Sequence, residues 1–87
     1  MVGNSSDKNE LPFGAALRRL RLAAGMTQET LGAEAGVQRN FVSLIELGRT
    51  QPTITTVSKL ARALGLKASE LVAQAEREVR TRRATRS

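Results

Sequence analysis

Apolar side chains recur along most of this chain at intervals of three and four residues, the spacing that places side chains on one face of an α-helix. The first set follows Pro12, a residue favoured in the first turn of a helix, and ends before Gly25. Its members are Phe13, Leu17, Leu20 and Ala24. The pattern predicts a helix over residues 12–24 with one buried stripe.

Two shorter helices are predicted within residues 27–52. Thr27 can cap the first of them, Leu31 and Ala35 share one face, and Gly36 is expected to end it with a positive φ. The apolar positions of the next helix are Val37, Phe41, Val42 and Ile45. Two helices joined by a glycine-containing turn predict a helix-turn-helix, whose second helix enters the major groove of DNA.

Two further helices complete the pattern. Thr53 can cap a fourth helix that ends at Gly65, and a fifth should begin near Ala68 and fray from Thr81 on, where no apolar residue anchors it. The predicted apolar face of the fourth helix consists of Ile54, Val57, Leu60, Ala61 and Leu64. The fifth helix has a stripe that looks too apolar for a final helix packed on one side, so we expect a dimer interface formed by Leu71, Val72 and Ala75.

Five helices with short connections predict an all-α domain over residues 12–76. The polar segment 1–11 is expected to be a disordered arm, and residues 77–87 an arginine-rich tail. The net charge is +6, of which residues 77–87 contribute +4 and the remaining chain only +2. Charge therefore agrees with a nucleic-acid partner without identifying one.

Composition removes several classes of function. The chain contains no Cys and no His, which excludes disulfides, Cys/His zinc sites and histidine-based acid–base catalysis. We therefore expect no enzyme activity, no metal and no cofactor. No apolar run is long enough to span a membrane, and residues 1–10 lack the apolar stretch of a secretion signal, so a cytoplasmic location is expected.

The order of residues in the central segment carries a family resemblance. The residues concerned are Thr27, Gln28, Glu29, Leu31, Ala35, Gly36, Val37, Arg39, Phe41, Val42, Ser43, Ile45, Glu46, Gly48, Arg49 and Pro52, with Leu60, Ala61, Ala63, Leu64 and Gly65 further on. This pattern resembles the Cro/C1-type (XRE) helix-turn-helix family and covers roughly residues 12–75. The resemblance implies a compact five-helix bundle of the lambda-repressor-like type that binds double-stranded DNA.

The start of the third helix holds the candidate base-reading side chains. In a helix-turn-helix the N-terminal part of this helix faces base edges. Arg39 can bind guanine O6 and N7 with two hydrogen bonds, and Asn40 can do the same for adenine N6 and N7. The full predicted set is Gln38, Arg39, Asn40, Ser43 and Leu44. A solvated helix face is the alternative interpretation of the same residues.

Two further groups follow from the resemblance. Gln28 and the adjacent backbone N–H groups, next to Thr27, would hold a DNA phosphate at a helix N-terminus, and Arg49 and Thr50 are weaker candidates for the same role. Glu46 lies in the last turn of its helix, where the macrodipole disfavours a negative charge, so another group should hold it. Its family counterpart is typically paired with an arginine of the first helix, and here Arg21 occupies that position.

Three positions depart from the family pattern. Gln38 and Lys67 stand where residues that cap the third and the fifth helix are common. Without such a cap, the third helix should start less firmly. Leu47 stands where the family is usually polar, and we expect its side chain to be partly buried.

The resulting hypothesis is a sequence-specific transcriptional regulator that binds a palindromic operator as a homodimer, because one recognition helix reads too few base pairs. With no sensor domain in so short a chain, protein concentration or a partner would regulate it. The alternative is an antitoxin or adaptor module whose main role is to bind a protein partner.

Overall fold

The computed structural model describes the backbone of residues 12–86 and the side chains of residues 12–79. Over this range the chain is all-α, as predicted, and forms five helices. They are α1 (Phe13–Ala23), α2 (Gln28–Ala35), α3 (Arg39–Glu46), α4 (Ile54–Ala63) and α5 (Ala68–Arg86). The predicted N-terminal arm, residues 1–11, lies outside the described residues.

The helices surround one apolar core. α1 packs against both α3 and α5, α2 against α3 and α4, and α4 against α5. The core residues are Phe13, Ala16, Leu17, Leu31, Ala35, Val42, Ile45, Leu60, Ala61, Leu71 and Ala75. Burial of these side chains is the main stabilising contribution to so small a domain.

Glycine allows α1 to approach the end of α3 closely. A Cβ on Gly14 would collide with the backbone carbonyl oxygen of Ile45 and lie 2.8 Å from that of Glu46. Because backbone atoms cannot swing aside as a flexible side chain can, a larger residue would push the two helices apart. Gly14 thereby sets the position of α3 against the rest of the molecule.

The turn between α2 and α3 has the predicted form. Gly36 adopts the left-handed conformation with φ of 76°, and the N–H of Val37 donates to the carbonyl oxygen of Gly32 at 2.9 Å. A Cβ on Gly32 would lie 2.7 Å from the carbonyl oxygen of Val37. The turn therefore requires glycine at position 36 for its backbone conformation and at position 32 for space.

Helix starts differ in how they are capped. Thr27 and Thr53 accept hydrogen bonds from the third residue of their helices, Thr30 and Thr56, as expected of N-caps. Gln38 makes no side-chain cap, in agreement with the sequence prediction. At Lys67 the Glu70 carboxylate accepts the Lys67 backbone N–H at 2.7 Å, which is half of a capping box.

The structure corrects several expectations. Ala24, predicted in the buried stripe of the first helix, is the residue after α1 and is exposed. Ile54, predicted on the buried face of α4, is 84% exposed, and Leu47, expected to be partly buried, is 65% exposed. α5 continues to Arg86, where we expected the chain to leave the helix at Thr81. The helix also crosses residues 76 and 77, the predicted boundary between domain and tail, because arginines near a helix C-terminus are favoured by the macrodipole and compatible with helix.

Within the described residues, none of the helices combines the length and the apolar character that crossing a membrane requires.

Candidate nucleic-acid interface

α3 divides sharply into an inward and an outward face. Val42 and Ile45 are buried in the core, and Phe41 packs against it. The predicted base-reading residues lie elsewhere on the helix: Gln38, Arg39 and Asn40 are exposed, Leu44 is 41% exposed, and Ser43 is half-buried. The structure therefore leaves the first turn of α3 open to a ligand while its other face holds the helix in the core.

The start of α2 lies beside the start of α3. A surface groove next to Arg39 is lined by Arg21, Leu22, Met26, Thr27, Gln28 and Glu29. The groove thus brings together Arg39, which is predicted to read bases, and Thr27 and Gln28, which are predicted to hold a phosphate. The N–H groups of the first helical turn point outward and have no partner within the helix, which suits an anion. Thr27 satisfies one of them with its side chain.

Arg21 and Glu46 form the ion pair that the sequence predicted. Arg21 Nε lies 2.6 Å from Glu46 Oε2, and Nη2 donates to Glu46 Oε1 at 3.0 Å. Their side chains are only 9% and 3% exposed. The hydrogen bond to Glu46 raises the pKa of Arg21, against the opposing effect of burial. Two parallel bonds with a planar guanidinium fix both distance and orientation between α1 and α3.

The ion pair is part of a larger network that sequence reasoning missed. Gln28 Nε2 donates to Glu46 Oε1 at 3.0 Å, and Arg21 Nη1 donates to the carbonyl oxygen of Met26 at 2.8 Å. The Glu46 carboxylate therefore joins the last residue of α3 to α1 and to the first residue of α2, and Arg21 extends the network to the loop before α2. The spacing of these residues in sequence gave no signal for the Gln28 contact.

This network changes the interpretation of Gln28. Its side-chain amide is not simply a solvent-facing group, because one N–H is already donated to the buried carboxylate. An amide nitrogen carries two N–H donors, so a second remains for a phosphate oxygen. The buried acceptor also settles the orientation of the amide, since only its nitrogen end can donate to Glu46.

The loop after α3 supplies the remaining phosphate candidates. Arg49 is exposed, and its backbone N–H donates to the carbonyl oxygen of Leu44 at 2.9 Å, which ties the loop to the end of α3. Thr50 is half-buried. Both stay candidates whose role rests on the sequence.

The predicted dimer interface on α5 needs correction. Leu71 and Ala75 are 0% exposed, because they belong to the core of the chain itself and pack where α1 and α4 meet α5. Their side chains have no surface to offer a second copy. Val72 is half-buried, so it alone of the three remains accessible. The apolar stripe on α5 is accounted for by packing on two neighbouring helices.

Besides the buried packing of α1 on α5, a polar contact between these two helices lies on the surface. Arg19 Nη2 donates to Gln74 Oε1 at 3.1 Å and lies 3.4 Å from Glu78 Oε1. Arg19 is half-exposed, so this pair contributes little to stability compared with the buried one. No group of carboxylate, His or Cys side chains in the described part of the chain could hold a metal ion.

Comparison with known proteins agrees with this geometry. Residues 17–71 match the model of a family described as helix-turn-helix. An uncharacterised HTH-type transcriptional regulator of Sinorhizobium fredii is 42% identical over 68% of this chain and 77% of its own length. The control protein C.BamHI of Bacillus amyloliquefaciens is 33% identical over 71% of this chain and 78% of its own.

Comparison with solved structures supports the same fold. The crystal structure of the restriction-modification controller protein C.AhdI from Aeromonas hydrophila superimposes with a TM-score of 0.67 at 39% identity. The matched region covers 70% of this chain and 92% of that one. The similarity therefore spans nearly the whole of a known regulator and includes both helices of the helix-turn-helix.

Proposed function

This chain belongs to the Cro/C1-type (XRE) family of helix-turn-helix DNA-binding transcriptional regulators, and from that premise we propose that it recognises a specific operator as a homodimer. The operator is a palindromic or pseudo-palindromic duplex, and each copy inserts α3 into the major groove of one half-site. Two half-sites are needed because a single short recognition helix discriminates too few base pairs.

The observation that carries the proposal is the exposed first turn of α3. Arg39 and Asn40 project from a helix whose other face is locked into the core by Val42 and Ile45. A rigidly held helix loses little conformational freedom on binding, so its side chains can discriminate between bases. Arg39 would bind a guanine and Asn40 an adenine through their paired donors and acceptors.

Backbone contacts would fix the register of α3 on the duplex. Gln28, with the N–H groups at the start of α2, takes one phosphate, and Arg49, in the loop after α3, takes another. Thr27 and Thr50 are the flanking residues of these two contacts. Such contacts carry affinity and no sequence information, so their removal should weaken all DNA alike.

The test separates base reading from phosphate binding. We expect Arg39→Ala to cost about 1–3 kcal/mol per half-site on the preferred duplex, with far less effect on scrambled DNA. Arg49→Ala should weaken both duplexes equally and lower the salt slope by about 0.9 for each phosphate that is no longer neutralised. Binding isotherms at several salt concentrations measure both effects, on a duplex selected from a random library and on its scrambled version.

Arg18→Ala is the matched control, because Arg18 is an exposed arginine on α1 that is not among the predicted DNA contacts. An Arg39→Ala variant that weakens the selected and scrambled duplexes equally would contradict base reading by α3.

A further inference from the structure

An acidic side chain, Glu29, lines the groove beside the start of α3. It is exposed and is the second residue of α2. A carboxylate on a surface that contacts DNA repels phosphates within about one Debye length, roughly 10 Å at 0.1 M salt. The macrodipole of α2 favours an acid in this turn, which explains why the fold accepts Glu29 but not why it lies on this groove. A negative charge here weakens binding to all DNA unless it acts through a cation.

The available cation on the same groove is Arg39. Arg21 also lines the groove, but it is buried and bound to Glu46. Gly32 holds α2 against the start of α3, since a Cβ on Gly32 would lie 3.4 Å from the backbone nitrogen of Arg39. Glu29 precedes Gly32 by three residues, and side chains at that spacing are neighbours on a helix, with Cβ atoms about 5–6 Å apart. Glu29 therefore lies one helical turn from the contact between α2 and Arg39.

Both charges are uncompensated in the protein without DNA. The ion pairs of the described residues are Arg19 with Glu78 and Arg21 with Glu46, and neither includes Glu29 or Arg39. Two exposed, flexible side chains gain little by pairing in water, because the pair is screened and both lose rotamer freedom. A third group that fixes one of the two removes part of this cost. Bound DNA can supply such a group.

The guanidinium of Arg39 has donors to spare when it binds a guanine. It carries five N–H groups, and guanine O6 and N7 accept two of them. The same planar group binds a phosphate equally well, so Arg39 alone does not distinguish a base edge from the DNA backbone. A carboxylate that accepts one of the remaining N–H groups holds the guanidinium in a single orientation. That orientation then decides which DNA group Arg39 meets.

We propose that Glu29 is a positioning residue for Arg39: its carboxylate accepts a hydrogen bond from the guanidinium in the DNA complex and directs the other donors to guanine. This inference rests on the proposed reading of bases by α3 and adds a residue of α2 to it. Glu29 weakens the attraction of the interface to phosphates in general and strengthens the preference for one base pair. Specificity gained by disfavouring the wrong ligand has this form.

The test measures how strongly the full chain prefers one base pair. Arg39→Ala identifies that base pair, as the position of a selected duplex at which this variant loses preference. The measured quantity is the dissociation constant for a duplex substituted at that position, divided by the one for the selected duplex. Glu29→Gln, which keeps the size of the side chain and removes its charge, should lower this ratio at least about threefold.

Glu34→Gln is the matched control. Glu34 is an exposed acid of the same helix that does not line the groove, and its substitution changes the net charge by the same amount. It should leave the ratio unchanged while strengthening binding to both duplexes slightly. In the Arg39→Ala background, Glu29→Gln should no longer affect the ratio, because the residue to be positioned is gone. Thermal melts followed by circular dichroism establish that each variant is folded during the binding measurements.

The outcomes separate this inference from the proposed function. Equal ratios for Glu29→Gln and Glu34→Gln, with Arg39→Ala still relaxing the preference, overturn the inference alone. A ratio that Glu29→Gln lowers equally with and without Arg39 would mean that Glu29 contacts a base itself, such as the amino group of cytosine, and would also overturn it. A wild-type chain that binds selected and scrambled duplexes alike overturns base reading by α3, and the inference with it.

Discussion

At the scale of single residues, Glu46 is the side chain that links the fold to the residues proposed to bind DNA. It accepts hydrogen bonds from Arg21 and Gln28, and so connects the helix that would read bases to the residue that would hold a phosphate. A buried carboxylate is costly unless it is paired and hydrogen-bonded, and this one accepts three hydrogen bonds, two of them from the Arg21 guanidinium. The same contacts that stabilise the fold therefore fix the relative positions of two groups proposed to bind DNA.

Removing Arg21 should show how much this pairing matters. Arg21→Ala leaves the Glu46 carboxylate buried with only Gln28 as a donor, and we expect the free energy of unfolding to fall by about 3–5 kcal/mol. Arg19→Ala, which removes a surface pair with Glu78, should cost about 0–1 kcal/mol. Chemical denaturation with urea measures both values.

Arg18→Ala removes a solvent-exposed arginine of the same helix and serves as the reference. Equal unfolding free energies for the three variants would mean that the Arg21–Glu46 pair does not contribute to the folded state in solution.

At the scale of helices, sequence reasoning located all five elements because each carries a clear apolar period and most end at a glycine. The predictions of burial failed where the sequence does not show which neighbouring helices cover an apolar residue. Ile54 has the right spacing to belong to the buried face of α4, yet it lies at the first position, beyond the reach of the core. Leu71 and Ala75 looked like surplus apolar surface because the sequence does not show that α5 packs on both α1 and α4.

In the candidate site, too, the sequence indicated one contact and gave no sign of another. Arg21 and Glu46 could be paired from the resemblance, whereas the contact of Gln28 with Glu46 depends on side-chain geometry between residues 18 positions apart. No period or motif encodes such a contact. It depends on the relative positions of α2 and α3, which only the folded chain defines.

The length of α5 leads to a prediction for that element. Truncation after Val79 removes four arginines while keeping Glu78, the partner of Arg19 on α1. We expect binding to specific and to scrambled DNA to weaken alike, with a salt slope lower by about 0.9 for each phosphate that the removed arginines had neutralised. Base preference should stay unchanged, because the removed segment supplies charge and not base contacts.

A full-length chain with the same four arginines replaced by glutamine is the matched control, since it keeps the length of α5 and removes only charge. If truncation altered which duplex is preferred while the glutamine variant did not, the helical segment itself would contribute to recognition.

At the scale of the whole molecule, the proposed homodimer would couple assembly to folding. A domain of this size has a modest surplus of stability, so a partner that binds only the folded chain raises its apparent stability by mass action. For a homodimer we expect the melting temperature to rise by about 3–5 °C for each tenfold increase in protein concentration. Differential scanning calorimetry over two decades of concentration measures the slope.

A wild-type melting temperature that is independent of concentration would indicate that folded chains gain no stability from each other.

The division of α3 into an inward and an outward face has a consequence for how such regulators diversify. Val42 and Ile45 determine whether the protein folds, whereas Arg39 and Asn40 are exposed and lie outside the core. Mutation can therefore exchange the outward residues at nearly constant stability. A duplicated gene could in this way acquire a new operator in a few steps, without passing through an unfolded intermediate and without losing its regulatory scaffold.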